Sequence, residues 1–215
     1  MANQKKDISA ADFMPSKLTL SSLKKAATTC EGCHLYKEAT QTVFGAGSPN
    51  AKIFFVGEIP GYKEDKEGQP FVGPAGTLLK STIEKTTLDF EDLYFTNVVK
   101  HFKFVYSNKK FLHRSPVSSE IKACQPWLDA EIKVIEPKII VCLGATAAKT
   151  LVNKKFLITK QRGKWFDYSE ECKIIVTFHP SAILRSPDEK ARHEMKASFM
   201  RDIKKIAMLW VKYKR

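Results

Sequence analysis

The residues best suited to chemistry lie in a glycine-rich segment from Gly57 to Gly76, which follows a short apolar run. Gly57 and Gly61 allow a ligand to approach the backbone closely, because neither carries a side chain. Glu58 supplies the only carboxylate at the turn, and Phe71 offers a flat apolar face. This combination predicts a pocket for a planar ligand. The alternative is an ordinary strand-to-helix loop with a surface glutamate, because one glycine-rich turn is a weak signal.

A second candidate site is the stretch 100–115, KHFKFVYSNKKFLHRS, which has five Lys or Arg residues and no acidic ones. Its aromatic residues Phe102, Phe104, Tyr106 and Phe111 are interleaved with the basic ones. Basic groups contact phosphates and aromatic rings stack on bases, so this composition suits single-stranded nucleic acid. The alternative is a solvated basic loop whose aromatic side chains pack into the core.

The whole chain is basic, with a formal net charge of +13 from 36 Lys and Arg against 23 Asp and Glu. Such a surplus indicates an anionic partner, and nucleic acid is the first candidate. A basic solubility surface or a membrane patch is the alternative. The sequence contains no signal-peptide core and no apolar run that could span a bilayer. We therefore expect a cytoplasmic protein that associates with the nucleoid through DNA.

The chain has five cysteines, and two of them form the motif Cys30-x-x-Cys33. An odd number in a protein expected inside the cell argues against a disulfide framework. Metal ligands or buried thiols are the better interpretations. Cys142 lies in the apolar run KIIVCLG, and we expect it to face the core as an inert thiol.

An alternation of helices and strands is predicted to position these residues. The predicted helices cover residues 18–27, 74–85, 117–135, 145–151 and 187–215, and the predicted strands cover residues 53–56, 93–99, 138–144, 164–168 and 173–178. This order favours a three-layer α/β/α sandwich with a central, mostly parallel sheet. Glu58, Asn97 and His179 each lie at the end of a predicted strand, so we expect them to converge at one edge.

The domain organisation predicted from composition is simple. Residues 1–15 are polar and lack periodicity, which is typical of a flexible N-terminal tail. The chain can bury a sizeable core, because 43% of its 215 residues are hydrophobic. We therefore expect residues 16–215 to form one domain, with an inserted basic loop at about residues 102–115.

Three motifs in order suggest a family. They are VGEIPGYKEDKEGQPFVGPAGTLL, TNVVK at the next strand and HPSAILR at the last one. As a set they resemble the iron–sulfur uracil-DNA glycosylases of family 4, over about residues 28–205. More narrowly, NVVKHFKF with the basic loop ending in KKFLHRSP, then ACQPWL and LGATAAK, is similar to the UdgX subgroup. The chain departs from that subgroup at Ile59, where the pattern has glutamine, at Tyr62, where it is acidic, and at Phe111, where it is basic.

The resemblance implies an enzyme that excises uracil from DNA, preferentially from single strands. Excision needs a base outside the stack, bound by its Watson–Crick edge against an aromatic ring. Asn97 matches the residue on that edge and Phe71 the stacking ring, while Gly57 and Ile59 complete the uracil-binding set. Backbone amides around Ile59 and Phe71 would serve the remaining polar atoms. His179 matches a histidine that donates toward O2 as negative charge develops on the leaving uracil.

The resemblance also assigns the residues that act on the sugar. Glu58 would face the positive charge of the oxocarbenium-like transition state. In the UdgX subgroup a loop histidine bonds covalently to the abasic sugar, and His113 matches it. Glu58 would favour attack by neutral His113 by hydrogen bonding its other ring nitrogen. From the residues alone, a histidine in a basic loop is more often a phosphate contact or a surface residue.

Two alternative functions remain open. One is an ordinary family 4-type enzyme, in which Glu58 positions or activates water and abasic DNA is released. The other is a non-catalytic, metal-stabilised nucleic-acid-binding module. In each case the partner is DNA, no membrane is involved, and we expect a monomer. The predicted DNA-binding residues are Lys109, Lys110, Arg114 and Arg185.

The resemblance further implies a [4Fe–4S] cluster held by Cys30, Cys33, His101 and Cys124. His101 stands where family 4 carries its third cysteine. Three thiolates and one imidazole also suit zinc, which is the alternative cofactor. His34 competes with His101 as the fourth ligand. The metal would tie the N-terminal segment and the base of the basic loop to the domain.

Overall fold

The computed structural model of the protein describes residues 8–108 and 110–214, with only the backbone described at Lys110. The strands in these residues are β1 (Ala46–Gly47), β2 (Ile53–Gly57), β3 (Leu93–Asn97), β4 (Phe104–Ser107), β5 (Lys110–His113), β6 (Ile139–Leu143), β7 (Trp165–Asp167) and β8 (Lys173–Thr177). Six of them form a central sheet in the order β1-β3-β2-β6-β8-β7. Neighbouring central strands are parallel, and the edge strands β1 and β7 are antiparallel to their neighbours. The predicted mostly parallel sheet is therefore confirmed.

Helices cover both faces of this sheet. Those in the described residues are α1 (Leu20–Ala27), α2 (Tyr62–Glu67), α3 (Pro74–Ile83), α4 (Ser118–Ile135), α5 (Ala145–Leu151), α6 (Ile158–Gln161), α7 (Pro180–Leu184) and α8 (Glu189–Tyr213). Residues of α1, α4 and α5 share one hydrophobic cluster, and residues of α3, α7 and α8 share another. Successive residues of a strand point to opposite faces, so Phe54 and Val56 join the first cluster and Ile53 and Phe55 the second. This arrangement confirms the three-layer α/β/α fold.

The burial of both sheet faces explains why the central strands have continuous apolar sequences. β2, β3 and β6 are buried at every residue, as in other parallel sheets covered by helices. Cys142 in β6 is 0% exposed, which confirms its predicted place in the core. Within the described residues, none of the helices combines the length and apolarity that a membrane span requires.

The first helix begins later than predicted. The sequence predicts it over residues 18–27, but Thr19 is the N-cap residue and the helix starts at Leu20. The Thr19 hydroxyl accepts a hydrogen bond from the Ser22 backbone amide at 3.1 Å, and the Ser22 hydroxyl accepts one from the Thr19 amide at 2.9 Å. This reciprocal capping box satisfies two backbone donors that would otherwise lack partners, which fixes the start of the helix.

The prediction of a flexible tail over residues 1–15 does not fit its described part. Ala10–Phe13 form a short 3-10 helix, capped by the side chain of Ser9. Ala10 is 0% exposed, and the helix packs against α4. Because Ala10 fills a place in the core beside α1 and α4, tertiary packing orders a segment that lacks hydrophobic periodicity.

The predicted basic loop at about 102–115 is also not a loop throughout. β4 and β5 form an antiparallel hairpin in which Phe104 pairs with His113 and Ser107 with Lys110. Asn108 at the turn has a φ angle of 50°, a left-handed conformation that asparagine tolerates well. The alternation of aromatic residues with other types in FVY and FLH is the period-2 signal of a hairpin.

Candidate active site

A cavity of about 700 Å³ lies at the edge of the sheet where β2, β3 and β8 end. Its lining includes six of the predicted catalytic and base-binding residues: Glu58, Ile59, Phe71, Asn97, His113 and His179. Parallel strands bring their carboxyl ends to one edge, so residues far apart in sequence meet there. The expected convergence of Glu58, Asn97 and His179 is therefore observed.

Gly57 makes room for two of these side chains. A Cβ atom added at Gly57 would lie 2.3 Å from Asn97 Oδ1 and 2.8 Å from Phe71 Cζ. Both distances are too short for a real side chain, so only glycine lets the amide and the ring converge here. Asn97 is 4% exposed, and its amide offers both a donor and an acceptor to a bound molecule.

Phe71 is held in an unusual backbone conformation. Its φ angle is 57°, and a left-handed conformation costs a bulky residue about 1–3 kcal/mol. The start of α3 approaches it closely, because a Cβ atom at Gly76 would lie 1.9 Å from the Phe71 carbonyl oxygen. The Phe71 ring lies 6.4 Å from the His179 ring at an interplanar angle of 29°. Surrounding packing thus fixes an aromatic face against the cavity.

The His179 ring has a defined hydrogen-bonding pattern. Its Nδ1 accepts a hydrogen bond from the Ser181 backbone amide at 3.1 Å and lies 2.8 Å from Ser181 Oγ. Because Nδ1 is an acceptor, the proton of the neutral ring is on Nε2. Burial lowers the pKa of His179 to about 4, although Glu58 acts in the opposite direction. The ring is therefore neutral at pH 7, and its Nε2–H group can donate to a ligand.

Glu58 is oriented by a residue that sequence reasoning missed. Thr146 in α5 donates a hydrogen bond from its hydroxyl to Glu58 Oε2 at 2.6 Å. The two residues are 88 positions apart, so periodicity could not pair them. In the sequence, the motif LGATAAK carries no signal beyond the family pattern. Its threonine holds the carboxylate that faces the cavity.

His113 reaches the same cavity from the end of the β4–β5 hairpin. The residue as a whole is exposed at the rim of the cavity. Neighbouring groups still shield its ring from part of the solvent, and this burial lowers the pKa of His113. Glu58 raises that pKa, Arg185 lowers it and Glu64 raises it, each by less than burial does. Burial therefore favours the neutral form of the ring, and Glu58 is close enough to oppose that shift.

Comparison with known proteins identifies the family. The model of the uracil DNA glycosylase superfamily matches residues 44–204. The chain belongs to this superfamily. It is 38% identical over 205 residues to a type-4 uracil-DNA glycosylase of Sulfurisphaera tokodaii, covering 92% of this chain and 87% of that protein.

Two further type-4 uracil-DNA glycosylases are similar to this member of the superfamily. The one from Thermotoga maritima is 42% identical over 164 residues, which cover 76% of this chain and 82% of that protein. The one from Archaeoglobus fulgidus is 34% identical over 198 residues, which cover 89% of this chain and 93% of that protein. Relatives this similar over most of the chain support an enzyme with glycosylase activity.

Beside Asn97 at the end of β3 lies a buried ion pair that could not be predicted from the sequence. Lys100 Nζ lies 2.5 Å from Glu131 Oε2, and both side chains are 0% exposed. Lys100 also donates to Thr96 Oγ1 at 2.6 Å and to the Asn97 carbonyl oxygen at 2.8 Å. The Tyr94 hydroxyl donates to the other carboxylate oxygen at 3.0 Å. This network fixes the end of β3, where Asn97 enters the cavity.

The four predicted DNA-binding residues are placed unequally. Arg185 lines the cavity, is exposed, and donates from Nη2 to Ser181 Oγ at 3.2 Å. Arg114 directly follows β5 and is exposed. Lys109 and the side chain of Lys110 lie outside the described residues. Arg185 and Arg114 thus put positive charge beside the cavity and at the base of the hairpin.

The predicted metal ligands are only partly brought together. The thiol groups of Cys30, Cys33 and Cys124 are close enough to affect one another electrostatically. Trp127 Nε1 donates to Cys30 Sγ at 3.2 Å, and the Lys100 backbone amide donates to Cys124 Sγ at 3.3 Å. Such N–H donors to sulfur are typical around thiolate-bound clusters, and Cys30 and Cys124 each have one.

The predicted fourth ligand has another partner. His101 Nε2 lies 2.9 Å from Thr42 Oγ1, and burial lowers the pKa of this ring to about 4. The competing candidate, His34, pairs through Nε2 with Glu120 Oε1 at 3.2 Å. In the part of the chain that the structure describes, no group of three or more His, Cys, Asp or Glu residues is arranged to hold a metal ion.

Proposed function

We propose that this chain excises uracil from DNA, preferentially from single strands, and ends covalently attached to the abasic sugar through His113. The observation that carries the proposal is the position of His113 in the same cavity as Glu58, Asn97 and His179. A histidine with a phosphate-binding role alone would not need to share a cavity with a carboxylate and a base-binding amide. The lowered pKa of His113 favours its neutral form, in which one ring nitrogen has the lone pair that attack requires.

The base half of the site suits a flipped uracil. The Asn97 amide can donate to O4 and accept from N3–H, while Phe71 stacks on the ring face. When the C1′–N1 bond breaks, its electron pair leaves with uracil, and negative charge spreads to O2. The Nε2–H group of His179 donates to that oxygen, which stabilises the leaving group without prior protonation.

The sugar half of the site suits attack by His113. Bond breaking leaves an oxocarbenium-like sugar, whose positive charge the Glu58 carboxylate stabilises. One nitrogen of neutral His113 donates its lone pair to C1′ and forms a C–N bond. The proton on the other ring nitrogen passes to Glu58 or to solvent, which leaves a neutral imidazole joined to the sugar.

The hairpin supports the preference for single strands. Tyr106 is 61% exposed and Val105 is 45% exposed on the hairpin, and exposed Arg114 lies at its base. Aromatic rings bind unpaired bases by stacking, and basic side chains bind the phosphates. An unpaired strand also needs less energy to present its uracil, since no base pair has to open.

A [4Fe–4S] cluster held by Cys30, Cys33 and Cys124 is part of the proposal, with His101 as the fourth ligand. The cluster would have a structural role when bound, joining the N-terminal segment to α4. Its fit rests on the three thiols and their N–H donors; His101 would have to leave Thr42 to complete the set. Iron and sulfide analysis of protein purified without oxygen tests this. Zinc without iron in such a preparation would contradict it.

A denaturing gel tests the main proposal. Uracil-containing and thymine-containing oligonucleotides, each single-stranded and duplex, are incubated with the wild type, His113→Ala and Glu58→Gln. We expect a denaturation-resistant complex with uracil-containing DNA only, formed faster on single strands. His113→Ala should lose the complex, and Glu58→Gln should slow base release by about 10²–10⁴-fold.

The matched control is His193→Ala, which removes an exposed histidine of α8 that does not line the cavity. It should form the complex like the wild type. Complexes that persist in His113→Ala would refute the nucleophile. Free abasic DNA with several turnovers per wild-type enzyme would instead select the water-using mechanism, and binding without base release would select a non-catalytic module.

A further inference from the structure

One face of the β4–β5 hairpin is entirely aromatic. Phe104 lies opposite His113, and Tyr106 lies opposite Phe111. Residues directly opposite each other in an antiparallel ladder share a face, and alternate residues along a strand do too. The Phe104 and Phe111 rings are 4.9 Å apart, and those of Tyr106 and Phe111 are 5.0 Å apart. His113 is therefore the last ring of a four-ring face.

Tyr62, the first residue of α2, docks on this face. Its ring stacks on Phe111 with centroids 5.1 Å apart and an interplanar angle of 20°. It also contacts the edge of Phe102 at 6.4 Å. Phe102 is 2% exposed and lies 6.0 Å from the His113 ring. The Tyr62–Phe111 stack thus joins the glycine-rich pocket segment to the strand that carries His113.

At its base the hairpin is anchored by Phe102, which stacks on Phe104 with ring centroids 5.1 Å apart, and by Lys103, which pairs with Glu120 at 2.9 Å. β4 and β5 form a two-stranded sheet of their own, apart from the central sheet. A lone two-stranded hairpin is at best marginally stable in water, so side-chain contacts must fix its position. Tyr62 and Phe111 remain 46% and 44% exposed, so their contact is not explained by burial in the core.

We propose that Tyr62 and Phe111 are positioning residues, whose stack holds the hairpin over the cavity and sets His113 against the sugar. This inference rests on the proposed attack by His113. It also joins two departures from the UdgX pattern, since positions 62 and 111 carry an acidic and a basic residue there. In this chain both positions carry aromatic side chains, and the two rings stack on each other.

The test compares Tyr62→Ala, Phe111→Ala and the double variant with Tyr62→Phe, which keeps the ring. Tyr168→Ala is the control for loss of an exposed tyrosine elsewhere, since Tyr168 is 40% exposed in the segment after β7. In single-turnover reactions on uracil-containing single strands, the fraction of released uracil that ends as adduct is measured. A residue that only stabilises the fold would lower the total yield without changing this fraction.

We expect both alanine variants to lower the ratio of adduct to free abasic DNA by about 2- to 12-fold, the factor that one aromatic pair contributes. The double variant should be no worse than the more impaired single one, because each single variant already breaks the contact between the two rings. Tyr62→Phe and Tyr168→Ala should match the wild type. An unchanged ratio in the alanine variants, or independent effects that multiply in the double variant, would overturn the proposal.

Hydrogen exchange of the free protein gives a readout that does not need His113 chemistry. Tyr62→Ala should speed exchange of the backbone amides of β4 and β5, while exchange in β2 and β3 stays as in the wild type. Unchanged exchange in the hairpin would refute the positioning role. If the wild type forms no adduct, the proposed function fails, and the exchange result still decides whether the stack holds the hairpin.

Discussion

At the residue scale, the site depends on partners that set the charge and direction of each reacting group. Ser181 fixes the proton of His179 on Nε2, and Thr146 binds one oxygen of Glu58. Both partners are small hydroxyl residues, and the fold places them beside the groups that they orient. His179 and Glu58 therefore each have a neighbour whose removal should impair the proposed chemistry without emptying the cavity.

Thr146→Ala should slow uracil release. The hydroxyl donates to a carboxylate at 2.6 Å, and hydrogen bonds to charged groups contribute about 1.5–3 kcal/mol, so we expect a loss of about 10- to 150-fold. Single-turnover excision rates check this. Thr150→Ala on the same helix is the control, because the Thr150 hydroxyl bonds only the helix backbone at Thr146. Equal rates in Thr146→Ala and the wild type would show that this contact does not orient Glu58.

The pH dependence of attachment should follow His113. Its folded-state pKa lies below the ordinary value of about 6.5, so the neutral, nucleophilic form persists as pH falls through that value. Attachment rates should stay level from about pH 8 to 6.5 and decline only at lower pH. A rate profile measured under single-turnover conditions checks this. A midpoint at or above pH 6.5 would show that His113 is not held neutral by its surroundings.

At the element scale, the end of β3 is stabilised by a buried charge pair. Lys100→Met would leave Glu131 charged and unpaired at 0% exposure, which should destabilise the fold by about 3–5 kcal/mol. Lys100→Met with Glu131→Leu should recover part of that loss, because neither charge remains. Chemical denaturation measures both. A single variant within about 1 kcal/mol of the wild type, or a double variant less stable than the single one, would contradict this view of the network.

Elements with strong periodicity could be predicted from the sequence, and tertiary arrangements could not. Strands β2, β6 and β8 are short apolar runs between breakers, and Pro74 marks the first turn of α3, so each was found. The hairpin was missed because its lysines and serine suggested a loop, although alternating aromatic residues predict strands. The edge strand β1 has two residues, which is too short for any periodic signal.

In the candidate site too, residues at strand ends could be predicted from the sequence, and partners distant in the chain could not. Glu58, Asn97 and His179 could be found because each follows a strand and parallel strands share an edge. Thr146 and the Lys100–Glu131 pair could not, because their contacts span 88 and 31 positions in the chain. The stack of Tyr62 on Phe111 likewise joins two segments whose sequences show no relation. His113 was predicted from the family resemblance alone, and the structure places it in the cavity with Glu58, Asn97 and His179.

At the scale of the whole molecule, the surplus of positive charge and the cavity serve different tasks. The net charge of +13 attracts DNA of any sequence, and this binding should weaken as salt rises. The proposed recognition of uracil depends instead on the short-range contacts of Asn97 and Phe71. The proposed attachment depends on a third feature, the hairpin that carries His113 to the cavity from outside the central sheet.

The most direct test is to locate the proposed bond between His113 and the abasic sugar. Trypsin cleaves after Lys110 and Arg114, so the peptide FLHR contains His113 and no other histidine. Mass spectrometry of the digested complex with a uracil-containing single strand should find the abasic sugar on His113. Attachment at another residue, or free abasic DNA beside an unmodified FLHR peptide, would contradict the account.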